Sequence, residues 1–175
     1  LWPEIEAITA HGLAALALTP SHAWVAPAGG HQPLFGTNPI AFAAPCADDP
    51  PLVFDLATSS MAHGDVQLAA RAGRLLPEHG GVDAGGQPTR DARAVLDGGA
   101  LLPFGGAAGG HKGSALSAMV ELMAGALICD WMSRGGLAFD AGDGAAPCHG
   151  ELILAFDPAR LSGGERRRLY LCTVL

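Results

Sequence analysis

Gly109-Gly110-His111-Lys112-Gly113-Ser114 leads into an apolar run that continues to Ile128. From Ser114 onward Leu116, Met119, Val120, Met123 and Leu127 recur at helical spacing, which predicts a long helix over 114–128 with a glycine-framed mouth just before it. Lys112 is the only lysine in the chain. A helix entrance offers unpaired N–H groups and the positive end of the macrodipole, so a lysine beside a histidine there points to an anion such as a cofactor phosphate. The competing reading is a capped loop bearing a solvated charge.

Short strands and helices alternate upstream of this stretch. A helix over 3–11 ends at Gly12, and the apolar run 13–18 suits a buried strand. Residues 22–25 read as a further short strand before the turn Pro27-Ala28-Gly29-Gly30. Runs 40–44 and 52–56 read as strands joined by a Pro- and Asp-rich connection. A helix is expected over 59–73, with Thr58, Ser59 and Ser60 as candidate caps. Residues 76–110 are rich in Gly, Pro and Asp and are expected to be mostly loops. A second Gly/Ala/Asp-rich loop is expected over 135–150, followed by a strand at 152–156. The alternation argues for an α/β architecture without a regular parallel series. The end of the chain, with Arg166-Arg167-Arg168 and an apolar run after it, reads as a poorly anchored tail over 159–175.

Composition narrows the function. Apolar content of 49% with 15% charged residues indicates a folded globular protein. A formal charge of −7 argues against nucleic acid as a partner. The apolar run 115–128 is interrupted by Glu121 and is too short for a membrane span. Cys46, Cys129, Cys148 and Cys172 have no CxxC spacing and form no dense framework, so neither a disulfide nor a metal site is expected, and a reducing, cytoplasmic setting fits best. Leu1-Trp2-Pro3-Glu4 carries no initiator Met and no signal pattern, and the chain is expected to continue upstream.

Two motifs mislead. The stretch 105–114 approaches a Walker A loop, but His111 stands where Gly must precede the lysine, and Gly113 where Ser or Thr must follow. Leu161-Ser162-Gly163-Gly164-Glu165 matches the signature loop of ABC-type ATPases, yet only ten residues follow it. No GxGxxG fingerprint opens a helix after a strand, so an ordinary Rossmann site is unsupported.

Gly36-Thr37-Asn38-Pro39, Asp55-Leu56-Ala57-Thr58-Ser59-Ser60, His63-Gly64-Asp65 and Gly110-His111-Lys112-Gly113 each have an ordinary structural reading when taken singly. In this order they resemble the malate/L-lactate dehydrogenase family, which also contains ureidoglycolate dehydrogenase and the Δ1-piperideine-2-carboxylate/Δ1-pyrroline-2-carboxylate reductases. The resemblance runs from Gly12 to about Pro158 and includes the Pro27-Ala28-Gly29-Gly30 turn and Leu101-Leu102-Pro103-Phe104-Gly105-Gly106. Gly-His-Lys-Gly-Ser-Ala-Leu-Ser at 110–117 looks closer to the cyclic-imine reductases, because the malate and lactate enzymes more often carry an aromatic residue at the His111 position.

The resemblance implies an α/β, non-Rossmann NAD(P)-binding fold, with a mainly antiparallel mixed sheet flanked by helices. Residues 1–158 would form a partial NADPH-binding and catalytic domain. The cofactor would be NADPH, with NADH possible, and the full-length form a homodimer. Thr37 would contact the substrate. Asp55, Leu56, Ala57, His63, Gly64, His111 and Lys112 would contact the cofactor, with histidine at 63 where the family often has arginine. Asp65 matches the acid of a Ser-His-Asp relay, whose Ser-His pair belongs to a region upstream of this chain; His22, although preceded by a serine, lies in the predicted strand before the turn. The implied reaction is reduction of a cyclic 2-imino acid by hydride transfer. A malate- or lactate-type dehydrogenase and an inactive remnant are the alternatives, and the chain alone is expected to bind NADPH weakly and turn over nothing.

Overall fold

The computed structural model describes residues 1–46, 49–78, 80–140 and 148–163. In chain order the first elements are α1 (Trp2–Thr9), β1 (Ala14–Leu18), β2 (Ile40–Ala44), β3 (Leu52–Leu56) and α2 (His63–Ala72). Then come β4 (Gly81–Val82), β5 (Pro88–Thr89), α3 (Ala92–Leu96), β6 (Ala100–Leu101), α4 (Gly106–Ala124), α5 (Ser133–Phe139), β7 (Leu152–Phe156) and α6 (Pro158–Leu161). A 3-10 turn over Ala126–Ile128 follows α4.

The chain divides into two compact units. One contains Leu1–Leu18, Ile40–Leu56 and the described residues from Leu152 on. Its four strands form an antiparallel sheet in the order β3-β2-β1-β7. Register brings Ala15 opposite Ala43 and Ala17 opposite Ala41, so alternation along both strands puts four alanines on one face. Ile5 of α1 is fully buried against them. The small side chains let the helix lie close to the sheet, and Trp2 donates its backbone N–H to Asp55 Oδ2 at 3.0 Å, satisfying one orphan donor at the helix start. The other face carries Leu16, Phe42, Phe54 and Leu154 in register, with the two phenyl rings 5.7 Å apart.

The second unit comprises Thr19–Pro39 and Ala57–Glu151. Its three short strands pair antiparallel in the order β5-β4-β6, and Val25, Val66, Ala69, Leu76, Ala92, Val95 and Leu101 form its main core. Among the described residues the only parallel pairing is the single bridge of Val25 with Leu101. The sheets are therefore antiparallel rather than mixed.

The strands expected at 40–44, 52–56 and 152–156 are β2, β3 and β7. The expected strand at 22–25 is reduced to bridging by Val25 alone. The helix expected over 59–73 starts only at His63, because the hydroxyls that would cap it are engaged elsewhere: Ser59 Oγ donates to Met61 O at 2.7 Å and Thr58 Oγ1 to backbone carbonyls. The span read as loops over 76–110 holds β4, β5, α3 and β6, whose strands of two residues are too short to leave a periodic trace.

The largest difference concerns α4, which begins eight residues before its expected start at Ser114. At Gly113 the reason for glycine is close approach. A Cβ on Gly113 would lie 2.5 Å from Phe104 N and O, so only glycine lets residues 103–104 run against the helix. α5 occupies part of the loop expected over 135–150; residues 141–147 and the tail 164–175 lie outside the described residues. Cys46 is disulfide-bonded, against expectation, since such bonds follow proximity in space rather than spacing in sequence, while Cys129 and Cys148 are free and exposed.

Candidate functional site

Thr37 lies in a turn whose geometry depends on its neighbours. A Cβ on Gly36 would meet Ser21 Oγ at 2.3 Å and Asn38 Oδ1 at 2.4 Å, so glycine is required there. Asn38 is fully buried with φ of 38°, a left-handed conformation that asparagine tolerates better than most residues. Its side chain uses all of its hydrogen-bonding capacity. Nδ2 donates to Glu121 Oε1 at 2.7 Å and to Ser117 O at 3.3 Å, while Oδ1 accepts from Ser21 N and from Ser133 Oγ, both at 3.1 Å.

Glu121, buried in α4, also accepts the Ser133 backbone N–H at 2.8 Å and shares the Ser133 hydroxyl with Asn38. Thr58 joins the same network. Its N–H donates to Thr37 O at 2.9 Å, its hydroxyl reaches the carbonyls of Thr37 and Asn38, and Ser117 Oγ lies 2.8 Å from Thr58 Oγ1. Residues 58–60 run antiparallel to 102–104, through Ser60 N to Leu102 O and Phe104 N to Thr58 O, both 2.8 Å. That segment enters α4, where Ser114 Oγ accepts the Ala28 N–H at 2.8 Å. Hydrogen bonds thus tie the Gly36–Pro39 turn, the Thr58–Ser60 segment, the Pro27–Gly30 turn and the helix bearing His111 and Lys112 into one cluster.

His111 and Lys112 are exposed in the second turn of α4, not at its mouth. The helix-end field fades within the first turn, so an anion here is held by side-chain charge rather than by the helix end. Among the described residues no carboxylate lies within ion-pair distance of Lys112. A Cβ on Gly109, one turn earlier, would meet nothing within 4 Å. An unpaired cation beside open helix surface fits a phosphate-bearing group.

His63, the first residue of α2, stacks on Trp24 with ring centroids 4.1 Å apart and 9° between planes. Burial lowers its pKa below the ordinary 6.5, and nearby His22 adds to the effect. The ring is neutral at pH 7, so it can offer a hydrogen bond but not the charge of an arginine. Its Nε2 is buried without a partner among the described residues, as is Nε2 of His22, whose Nδ1 lies 3.7 Å from Asp140 Oδ2. Asp65 is exposed in the first turn of α2, and Gly64 beside it has open space at its Cβ position. Asp55 and Leu56 end β3 in the other unit, where Asp55 meets the start of α1. A cavity of about 840 Å³ is lined by Trp24, Leu34, His63, Leu96, Arg134 and Leu137 among others, but not by Thr37, Asp65, His111 or Lys112. The hydrogen-bonded cluster joins the Thr37 turn to the helix bearing His111 and Lys112; Asp55 and Leu56 lie in the other unit, and His63, Gly64 and Asp65 lie on α2, outside the cluster.

Asn38 and Ser117 lie inside motifs legible in the sequence and Glu121 interrupts an apolar run, but nothing in the sequence assigns a role to them or to Ser133. A signal existed for Glu121: a lone carboxylate within an apolar helical run implies either a solvent-facing position or a set of buried donors. Nothing in the sequence named those donors.

The family described as malate/L-lactate dehydrogenase matches residues 1–170. The chain is 61% identical over 158 residues to Δ1-pyrroline-2-carboxylate reductase of Pseudomonas fluorescens, covering 90% of this chain and 46% of that protein. The crystal structure of Δ1-piperideine-2-carboxylate reductase from Pseudomonas syringae pv. tomato is similar with a TM-score of 0.84 at 49% identity, covering 96% of this chain and 55% of that one. Malate dehydrogenase from Entamoeba histolytica is similar with a TM-score of 0.82 at 26% identity, covering 91% of this chain and 46% of that one. The chain spans about half the length of the curated relatives it matches.

Proposed function

Because the chain belongs to the malate/L-lactate dehydrogenase family, we propose that it carries the substrate-turn and cofactor-phosphate parts of an NADPH-dependent reductase of cyclic 2-imino acids. The substrate class is that of Δ1-pyrroline-2-carboxylate and Δ1-piperideine-2-carboxylate. The observation that carries this reading is the single hydrogen-bonded cluster uniting the Thr37 turn, Thr58 and the Lys112 helix. A malate- or lactate-type dehydrogenase is the weaker alternative, since identity falls from 61% with the pyrroline-carboxylate reductase to 26% with the malate dehydrogenase.

The nicotinamide of the bound cofactor supplies the hydride. Thr37 holds the substrate carboxylate through a turn hydroxyl. His111 and Lys112 hold cofactor phosphate, with Lys112 supplying the charge. His63 donates or accepts one hydrogen bond as a neutral ring, beside Gly64. Asp55, Leu56 and Ala57 line the cofactor, and Asp65 fixes the tautomer of a histidine that manages the proton. A non-Rossmann cofactor fold, a homodimeric full-length form and a cytoplasmic setting belong to the same proposal.

Titration of NADPH and NADH into the purified chain tests the cofactor part. Lys112→Ala is expected to weaken NADPH about tenfold, the worth of one charge-assisted hydrogen bond, and NADH much less. Equal losses would put Lys112 on the pyrophosphate, whereas unchanged affinity for both would remove it from the site. With NADPH present, calorimetry should detect tighter binding of the cyclic imino acids than of malate or lactate; the reverse order would favour the dehydrogenase.

A further inference from the structure

We infer that Glu121 is the positioning residue for Thr37, holding the turn from both sides through Asn38 and Ser133. The importance of this for substrate binding rests on the proposed role of Thr37; the positioning itself does not. Two arms leave the Glu121 carboxylate. One passes to Asn38 Nδ2 at 2.7 Å, then from Asn38 Oδ1 to the Ser21 N–H at 3.1 Å. Ser21 Oγ in turn accepts the Thr37 N–H at 2.9 Å and lies 3.1 Å from Thr37 Oγ1. The other arm passes to the Ser133 hydroxyl, whose oxygen accepts the Gly36 N–H at 2.9 Å. The residues on either side of Thr37 therefore answer to one carboxylate, and the direction of the Thr37 hydroxyl is set by the first arm.

Any buried carboxylate needs donors; here they come from Asn38, which follows Thr37, and from Ser133, whose oxygen holds the Gly36 N–H. Three donated bonds converge on Glu121, from Asn38 Nδ2, Ser133 N and Ser133 Oγ. Among the described residues it has no ion-pair partner. Its acceptors are thus spent on α5 and the turn, and it joins α4 to both. Asn38, held in a left-handed conformation, has a full set of partners only while Glu121 accepts from it. Both arms leave from Oε1, while Oε2 accepts the Ser133 N–H. Glutamine at 121 keeps the shape, but its NH2 group faces the Asn38 Nδ2 donor in one placement and the Ser133 N–H in the other, and in either the arms lose a charged acceptor.

Residue-resolved amide hydrogen exchange on the full chain distinguishes positioning from general stabilisation. Glu121→Gln is compared with Val66→Ala, which removes buried apolar volume in the main core of the same unit and touches no member of the network. At matched global stability, the Gly36 and Thr37 amides are expected to exchange about tenfold faster in Glu121→Gln than in Val66→Ala, the worth of one hydrogen bond to a charged group. Equal exchange in the two variants would overturn the inference. Should Glu121→Gln fail to fold, Ser133→Ala cuts one arm and leaves the other, so Gly36 should lose more protection than Thr37; protection unchanged at both would overturn it. Calorimetry with Δ1-pyrroline-2-carboxylate should give about tenfold weaker binding in Glu121→Gln with NADPH affinity kept. If the wild-type chain fails to bind the imino acid, the proposed role of Thr37 falls, while the exchange comparison still decides the positioning claim.

Discussion

His63 and Asn38 illustrate two ways a polar side chain is held inside this protein. Asn38 is satisfied at every donor and acceptor, so its loss strands several groups at once. Asn38→Ala is expected to lower stability by about 2–4 kcal/mol, combining lost hydrogen bonds with a buried Glu121 acceptor left short of a donor, as read from urea midpoints. Less than about 1 kcal/mol would mean that water replaces the network. His63 instead has a buried nitrogen without a partner among the described residues and lies flat on Trp24. Its folded pKa is below 6.5, so the unfolded chain takes up a proton first as pH falls. The stability from keeping the ring neutral is complete above about pH 6.5 and is lost as pH falls from there through the folded pKa. His63→Phe keeps the stack and removes the titration, so urea midpoints of the variant should fall less between pH 7 and pH 5 than those of the wild type.

α4 shows how an element was hidden by composition. Glycine is the poorest helix former after proline, so a stretch holding Gly105, Gly106, Gly109, Gly110 and Gly113 reads as a loop. The helix forms there because the chain at 103–104 passes so close that a side chain at 113 is excluded, and tertiary contact outweighs propensity. The glycines are not equivalent. Gly113→Ala forces a methyl into backbone 2.5 Å away and should cost about 1–3 kcal/mol. Gly109→Ala meets open space and should stabilise by about 0.5–1 kcal/mol through helix propensity. Thermal unfolding of the two variants checks the pair, and the same sign for both would refute the account. The C-terminal end of the expected helix also differs. Gly125 ends α4, and Leu127, read as part of the apolar face, is 74% exposed in the following turn.

At the scale of the whole molecule, each unit has its own core. Ile5 with the β1 and β2 alanines serves one, and Val25, Val66, Leu76 and Leu101 serve the other. No residue belongs to both clusters. Ile5→Ala and Val66→Ala are each expected to cost about 2–4 kcal/mol, and their effects to add within about 0.5 kcal/mol in the double variant. A coupling above about 1 kcal/mol in denaturant unfolding would show that the two cores are not independent. The units are assembled from interleaved stretches of chain, which local pattern does not reveal.

Sequence alone determined the strands at 40–44, 52–56 and 152–156, the α/β character and the ordered motifs that resemble the family. These are readable because apolar runs bounded by turn residues, and short motifs fixed by backbone chemistry, are local properties. Tertiary structure alone decided that Gly106–Ser114 is helix, that α2 waits until His63, and that Asn38, Ser133 and Glu121 meet around the Thr37 turn. The partners in that network stand 12 to 97 residues apart in the chain. A buried donor is matched to its acceptor by position in space, and spacing along the sequence does not encode it.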